Sequence, residues 1–263
     1  MKKLRELKKF CVVIPVYKEH LTPEEEMCLK RMKYVFGEVD NIYLICPLGI
    51  DTSAYSYIYP SIKVIPFNKR YFKSTATYST LCMSPILYKT FFMYEYMVIA
   101  QLDAFVVRND IAKFCDMGYD YIGAPIYTPN IHWKIYDNST YKVGNGGFSL
   151  RKISKFIEIC SKTSEYRKSH PGIEWDAKYE DAFFCASLPD NPLNIAPVDI
   201  ATKFACDRNP NIHQKLNDNK LPTAIHAIGM HSVYWADKIS EITPEIAIWC
   251  VKHYYGKTLK IRS

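Results

Sequence analysis

No apolar run in the sequence is long enough to cross a bilayer. The longest candidate, Met97 to Val107, is broken by Gln101 and Asp103 and falls short of the roughly 18 apolar residues a span needs. A basic start, MKKLRELKKF, is followed only by the short run CVVIPVY, which Pro15 interrupts. It offers neither the apolar core nor the small-residue cleavage site of a secretory signal, so a cytoplasmic protein is expected. Paired cysteines are also missing: nine are spread from Cys11 to Cys250 and none forms a C-x-x-C pair. That spacing argues against a disulfide scaffold or a structural zinc site and for reduced thiols. There is no internal repeat, low-complexity stretch or linker, and no motif of the kind that reads RNA or DNA, so no nucleic-acid partner is expected.

What is present is ordinary globular material. The chain has 263 residues, 48% apolar and 23% charged, which fits one α/β domain of the larger kind spanning 1–263. Its 21 Tyr and 13 Phe serve core packing first. A net charge of +7, with basic residues gathered at both ends (Lys2, Lys3, Arg5, Lys8, Lys9, then Lys252, Lys257, Lys260, Arg262), favours anionic partners, among them nucleotide sugars or an anionic membrane surface. Solvated chain ends account for the same charges equally well.

The order of elements predicts an α/β fold with a mostly parallel sheet flanked by helices. Phe10 to Tyr17 is a β-branched apolar run suited to a strand buried on both faces. Thr22, Pro23 and Glu25 then spell a capping box opening a helix that ends near Gly37. Asn41 to Cys46 and Ser61 to Pro66 predict further strands. Helical signals run from about Thr75 to Tyr94, and Tyr96 to Leu102 predicts another buried strand. Tyr119 to Gly123 reads as a strand, and Ala124 to Lys142, rich in Pro, Asn and Tyr, as a long loop. A glycine turn at Gly144 to Gly147 follows, then helices from about Lys152 to Ser161, around Glu180 and Asp181, and from about Pro244 to Tyr254.

Four segments carry candidate chemistry. In Ala100-Gln101-Leu102-Asp103 a buried strand delivers a carboxylate and a carboxamide to its carboxyl end, where ligands collect in open α/β sheets. Such an oxygen pair suits a hard divalent ion. Taken alone, Asp103 also fits a cap for the helical region near Arg108 to Cys115, or a partner for a Lys or Arg. In Val143-Gly144-Asn145-Gly146-Gly147-Phe148 the glycines let backbone approach a ligand, although Asn-Gly is equally a hairpin signal. This segment is neither a P-loop nor a Rossmann G-x-G-x-x-G. The adjacent acids Glu180 and Asp181 diverge by about 100° on a helix, so only one is expected to act as a base, and both also suit a helix's first turn. His226 can complete a metal site or sit as a satisfied core residue.

Taken in order, these segments resemble a bacterial family of domains of unknown function described as glycosyltransferase-like. The matching stretches are Val12 to Tyr17, Ser84 to Tyr94 leading into YMVIAQLDAFV, YDYIGAPI, VGNGGFSLRK, EDAFF, IATKFACD and LPTAIHA. The resemblance implies a single GT-A type, Rossmann-like domain with a nucleotide-binding half at about 10–125 and an acceptor and catalytic half at about 126–263. It also implies donor contacts at Pro15, Val16, Tyr17, Gln101, Leu102, Asp103, Asn145, Gly146 and Gly147. Gln101-Leu102-Asp103 stands where many relatives have D-x-D, making Asp103 the metal ligand and His226 a further metal or phosphate contact, with Mn²⁺ or Mg²⁺ as cofactor. Asp181, beside Glu180, is implied as the base.

The expected activity is transfer of a sugar from a nucleoside-diphosphate donor, UDP by analogy, to a glycan or glycolipid acceptor in cell-surface polysaccharide synthesis, with inversion. Peripheral contact with the inner face of the membrane fits the basic ends. Two other classes use similar parts. A sugar nucleotidyltransferase would release pyrophosphate, and a non-catalytic carbohydrate- or nucleotide-binding protein would stack Tyr127, Trp133 or Tyr136 on sugar without needing a base.

Overall fold

The computed structural model describes residues 7–126, 142–169, 179–187, 191–240, 248–249 and 252. The first half runs β1 (Lys8–Pro15), α1 (Pro23–Phe36), β2 (Ile42–Pro47), α2 (Ser53–Ile58), β3 (Lys63–Phe67), α3 (Thr75–Cys82), α4 (Pro85–Thr90), β4 (Tyr94–Ala100), β5 (Phe105–Val106) and α5 (Ile111–Asp116). The second half continues with β6 (Tyr121–Ile126), β7 (Lys142–Lys152), α6 (Ile153–Ser161), α7 (Thr163–Ser169), the single turn α8 (Glu180–Ala182), α9 (Val198–Phe204), β8 (Ala205–Cys206), α10 (Pro210–Leu216), β9 (Ala224–Ile225) and α11 (Ser232–Ile239).

Six strands form the main sheet in the order β3-β2-β1-β4-β7-β6. The first four are parallel, and β7 runs antiparallel between β4 and β6, so the expected mostly parallel α/β sheet is observed. Cys11 to Ile14 of β1 and Tyr96 to Ala100 of β4 are buried, which is why both read as continuous apolar runs rather than alternating ones. At one edge, β3 exposes Lys63 and Pro66, residues an unpaired edge tolerates. The capping box opens α1 as predicted: Glu25 N donates to Thr22 Oγ1 at 3.3 Å and Thr22 N to Glu25 Oε2 at 2.7 Å, and Gly37 closes the helix at φ 72°.

A second sheet of three short strands, β5-β9-β8, is antiparallel between β5 and β9 and parallel between β8 and β9. It has its own apolar cluster, centred on Phe105, Cys206, Ile225 and Trp235. All eight described cysteines are buried and free, as their spacing predicts.

Three expectations change. The helical stretch from Thr75 to Tyr94 is two helices, because Ser84 caps a new start and Pro85 cannot continue the old one. Gly144 to Gly147 is not a turn but the interior of β7, whose pairing with β6 slips between Ile122, Ala124 and Pro125. Ala124 to Ile126 and Lys142, expected in a loop, are strand. The rest of that loop, including Tyr127, Trp133 and Tyr136, and nearly all of the Pro244 to Tyr254 helix lie outside the described residues. Among those described, no helix is long and apolar enough to cross a membrane.

Candidate active site

The chain leaves β1 for β2 and β3, then returns to place β4 on the other side of β1. That reversal of strand order is where open α/β sheets bind ligands. A cavity of about 580 Å³ opens there, within the range of small-molecule sites. Pro15, Val16 and Tyr17 line it from the end of β1, and Gln101, Leu102 and Asp103 from the end of β4. Six residues singled out from the sequence therefore share one wall. The opposite side comes from Lys73, Ser74 and Thr75 at the start of α3, with Tyr78 behind them. Tyr17 is 65% exposed, its ring under the Lys18 ammonium at 5.7 Å, and Tyr55 steadies the loop after it by donating its hydroxyl to Lys18 O at 2.7 Å. Lys18 is held by Glu25 at 2.8 Å.

The small sheet explains how distant residues meet Asp103. Cys206 and Phe105 both register with Ile225. Because β8 runs parallel to β9 and β5 antiparallel, the residues just after β8, just after β9 and just before β5 fall at one end. These are Asp207, His226 and the Asp103–Ala104 turn. His226 Nδ1 lies 2.9 Å from Asp207 Oδ1, while Nε2 lies 3.1 Å from Gln101 Oε1 and 3.3 Å from Asp103 Oδ1. All three partners present oxygen atoms, a setting that favours the doubly protonated ring. Burial opposes that charge, but the hydrogen bonds and negative charges of Asp103 and Asp207 prevail and raise the imidazole to about 10. Burial likewise works to raise Asp103, yet His226 holds it below its ordinary value.

Among the described residues, no group of three or more His, Cys, Asp or Glu side chains forms a metal cage. What converges instead is one carboxylate, one imidazole nitrogen and one carboxamide oxygen beside an open cavity. That donor set fits an ion whose remaining positions are filled by substrate oxygens, the way Mg²⁺ and Mn²⁺ are commonly held with phosphates.

The glycines of β7 join this corner to the acids. Gly147 O accepts from Gln101 N at 2.9 Å, and a Cβ on Gly147 would overlap the His226 imidazole. On Gly146 a Cβ would meet Glu180 Oε1 at 2.8 Å and Arg151 Nη2 at 3.0 Å. Only backbone fits at either position. Asn145 faces neither group: its Oδ1 accepts from Gly147 N at 3.0 Å and shapes the strand.

Sequence reasoning paired Glu180 with Asp181, but the structure separates their roles. Glu180 Oε1 accepts from Arg151 Nη2 and Oε2 from Ser79 Oγ, both at 3.0 Å. Arg151, fully buried, also donates to Tyr88 Oη at 3.0 Å and Ser149 Oγ at 3.1 Å. Both oxygens of Glu180 are thus committed to a structural network, which leaves Asp181 as the acid of the pair placed for other work. Among the described residues, Asp181 accepts only from the amides of Ala182 at 2.8 Å and Gly146 at 3.3 Å. Burial pushes its carboxyl up to about 7, with the neighbouring Glu180 charge adding to the effect. Asp181, Gly146, Gly147 and His226 do not line the cavity; Gly147 and His226 adjoin it through Gln101. Arg151 and Asp207 went unassigned in the sequence. Asp207 carries the signal that found Asp103, an apolar run (Phe204 to Cys206) ending on an acid.

The chain's geometry has known counterparts. The galactosyltransferase LgtC, solved with donor and acceptor sugar analogues, matches with a TM-score of 0.53 at 11% identity over 82% of this chain and 86% of that one. Mouse xyloside xylosyltransferase 1 matches with a TM-score of 0.52 at 9% identity over 83% and 97%. The Streptococcus pneumoniae glycosyltransferase GlyE gives 0.50 at 14% identity over 96% and 64%. At these identities the likeness is one of fold, and the fold is the GT-A type expected from the motif string. No curated protein matches the sequence. Residues 61–226, more than half of the chain, match the family described as "Protein of unknown function (DUF5672)", and the chain belongs to that family.

Proposed function

We propose that this protein is a glycosyltransferase that moves a sugar from a nucleoside-diphosphate donor, UDP in the favoured case, to a hydroxyl of a glycan or glycolipid, with inversion and metal assistance. The observation that carries this reading is the meeting of Asp103, His226 and Gln101 at the wall of a cavity at the sheet's switch point. In it the nucleoside occupies the cavity beside Pro15 to Tyr17, the diphosphate faces Asp103, and the sugar reaches over the backbone of Gly146 and Gly147. The first half of the chain would then hold the nucleotide and the second half the acceptor, as one domain. Cell-surface polysaccharide assembly at the cytoplasmic face is the setting we favour.

The acceptor oxygen attacks the anomeric carbon as the bond to the diphosphate breaks, and the diphosphate leaves with the electron pair. Asp181, ionised above about pH 7, takes the acceptor's proton. A divalent ion, when bound, would neutralise charge on the departing diphosphate. Asp103, His226 and Gln101 would hold it, and His226 must give up its Nε2 proton to do so. The amides of Gly146 and Ala182 hold Asp181 in place, and Arg151 and Glu180 do not touch substrate.

The test is phosphorus NMR of the purified protein with Mn²⁺ and a panel of nucleotide sugars. Release of a nucleoside diphosphate with a glycosylated product is expected. Pyrophosphate release from a nucleoside triphosphate and a sugar phosphate would identify a nucleotidyltransferase instead. Ligand binding without turnover would identify a binding protein.

A further inference from the structure

We propose that Asp207 is the positioning residue of the metal site: by accepting the Nδ1 proton of His226, it holds the ring so that Nε2 is the atom presented to a divalent cation beside Asp103. The inference rests on the metal-assisted reading above, but it concerns a residue to which that reading gives no part.

Three observations carry it. First, topology delivers Asp207. The two-residue strand β8 pairs with β9 and ends one residue before it, as β9 ends one residue before His226, and His226 N donates to Cys206 O at 2.8 Å, locking the two residues in register. Second, Asp207 has no other strong partner among the described residues. Only 6% exposed, it lies 2.9 Å from Nδ1 through Oδ1, whereas Oδ2 reaches only the exposed Arg208 at 3.7 Å. Burying a carboxylate is costly unless it is paired, and the pair here is the imidazole. Third, the ring has a fixed seat and a fixed aim: Gly147 has no Cβ where the imidazole sits, and Nε2 points to Gln101 and Asp103 at the cavity wall. A ligand histidine whose second nitrogen is bound to a carboxylate has its tautomer and orientation fixed and its basicity raised.

The experiment measures binding of Mn²⁺ and of Mg²⁺ to the full chain saturated with UDP, for the wild type, Asp103→Ala and Asp207→Asn. For Asp207→Asn we expect Mn²⁺ binding weaker by about 10- to 100-fold. Mg²⁺, which leans on oxygen ligands rather than imidazole, should lose less, so the ratio of the two affinities falls. A merely structural role would weaken both ions alike and leave that ratio unchanged, which would overturn the proposal. Unchanged Mn²⁺ affinity in Asp207→Asn, with loss in Asp103→Ala, would remove Asp207 and leave the metal reading standing. No cation binding by the wild type would remove both. Should Asp207→Asn fail to fold, imidazole nitrogen NMR of the wild type with UDP and Mg²⁺ decides: a protonated Nδ1 with metal-bound Nε2 is expected, and the opposite arrangement contradicts it.

Discussion

Replacing Asp181 with Asn should remove activity and stabilise the protein at the same time. The carboxyl ionises at about 7 in the fold against an ordinary value of 3.8. Its protonated form therefore contributes stability that is fully present below pH 3.8 and is lost as pH rises to and through about 7. At about 1.4 kcal/mol per pH unit, the loss is on the order of 4 kcal/mol as an upper value. Asn keeps a carbonyl for one amide, the one on Ala182 or Gly146, but leaves the other weaker, so a net gain of about 1–3 kcal/mol remains at pH 8.5 and almost none at pH 4. For a chain of this size that is a rise of roughly 2–10 °C in Tm. The assay is thermal melting of wild type and Asp181→Asn across pH 4 to 9, beside product formation at saturating donor. The variant should bind donor normally with kcat reduced by about 100-fold or more, and the wild-type kcat/KM should fall below about pH 7. A variant destabilised equally at every pH, or one that retains turnover, would refute the reasoning.

Other perturbations separate the two halves of the site. Gly147→Ala pushes into the His226 ring and should cost about 1–3 kcal/mol in denaturant unfolding while abolishing metal-dependent nucleotide binding. Arg151→Met strands the Glu180 carboxylate in the interior, so a loss of about 3–5 kcal/mol is expected, with much of it recovered in Arg151→Met/Glu180→Gln. Turnover retained in that stable double variant is expected, whereas a base role for Glu180 would leave it stable but inactive. His226, raised to about 10 by Asp103 and Asp207, contributes stability that is complete below its ordinary 6.5 and lost as pH rises through about 10. The Tm advantage of wild type over His226→Gln should therefore shrink as pH rises from about 6.5 to about 10 and level off above.

The sheet was legible because its central strands are buried on both faces: β1 and β4 announce themselves as unbroken apolar runs, and Thr22-Pro23-Glu25 and Gly37 mark both ends of α1. The cavity wall was legible for the same reason, since a polar residue at the end of such a run, as at Gln101 and Asp103, has no core reason to be there. The glycines misled because Asn-Gly is locally a turn signal, and only the partners β4 and β6 reveal that the chain passes straight through. Asp207 and Arg151 were hidden differently. Nothing local ties Asp207 to His226 until β8 and β9 pair. Which of the adjacent acids is tied up in the interior was hidden too, until a buried arginine from β7 and Ser79 from α3 claimed both oxygens of Glu180.

The central claim is that a donor diphosphate docks at Asp103 with a divalent cation. Calorimetric titration of UDP into wild type and Asp103→Ala, with and without Mn²⁺, addresses it most directly. Binding to the wild type should tighten by about tenfold or more when Mn²⁺ is present, a coupling of ~1.4 kcal/mol, and lose that enhancement in Asp103→Ala. Equal affinity with and without Mn²⁺ in both proteins would contradict it.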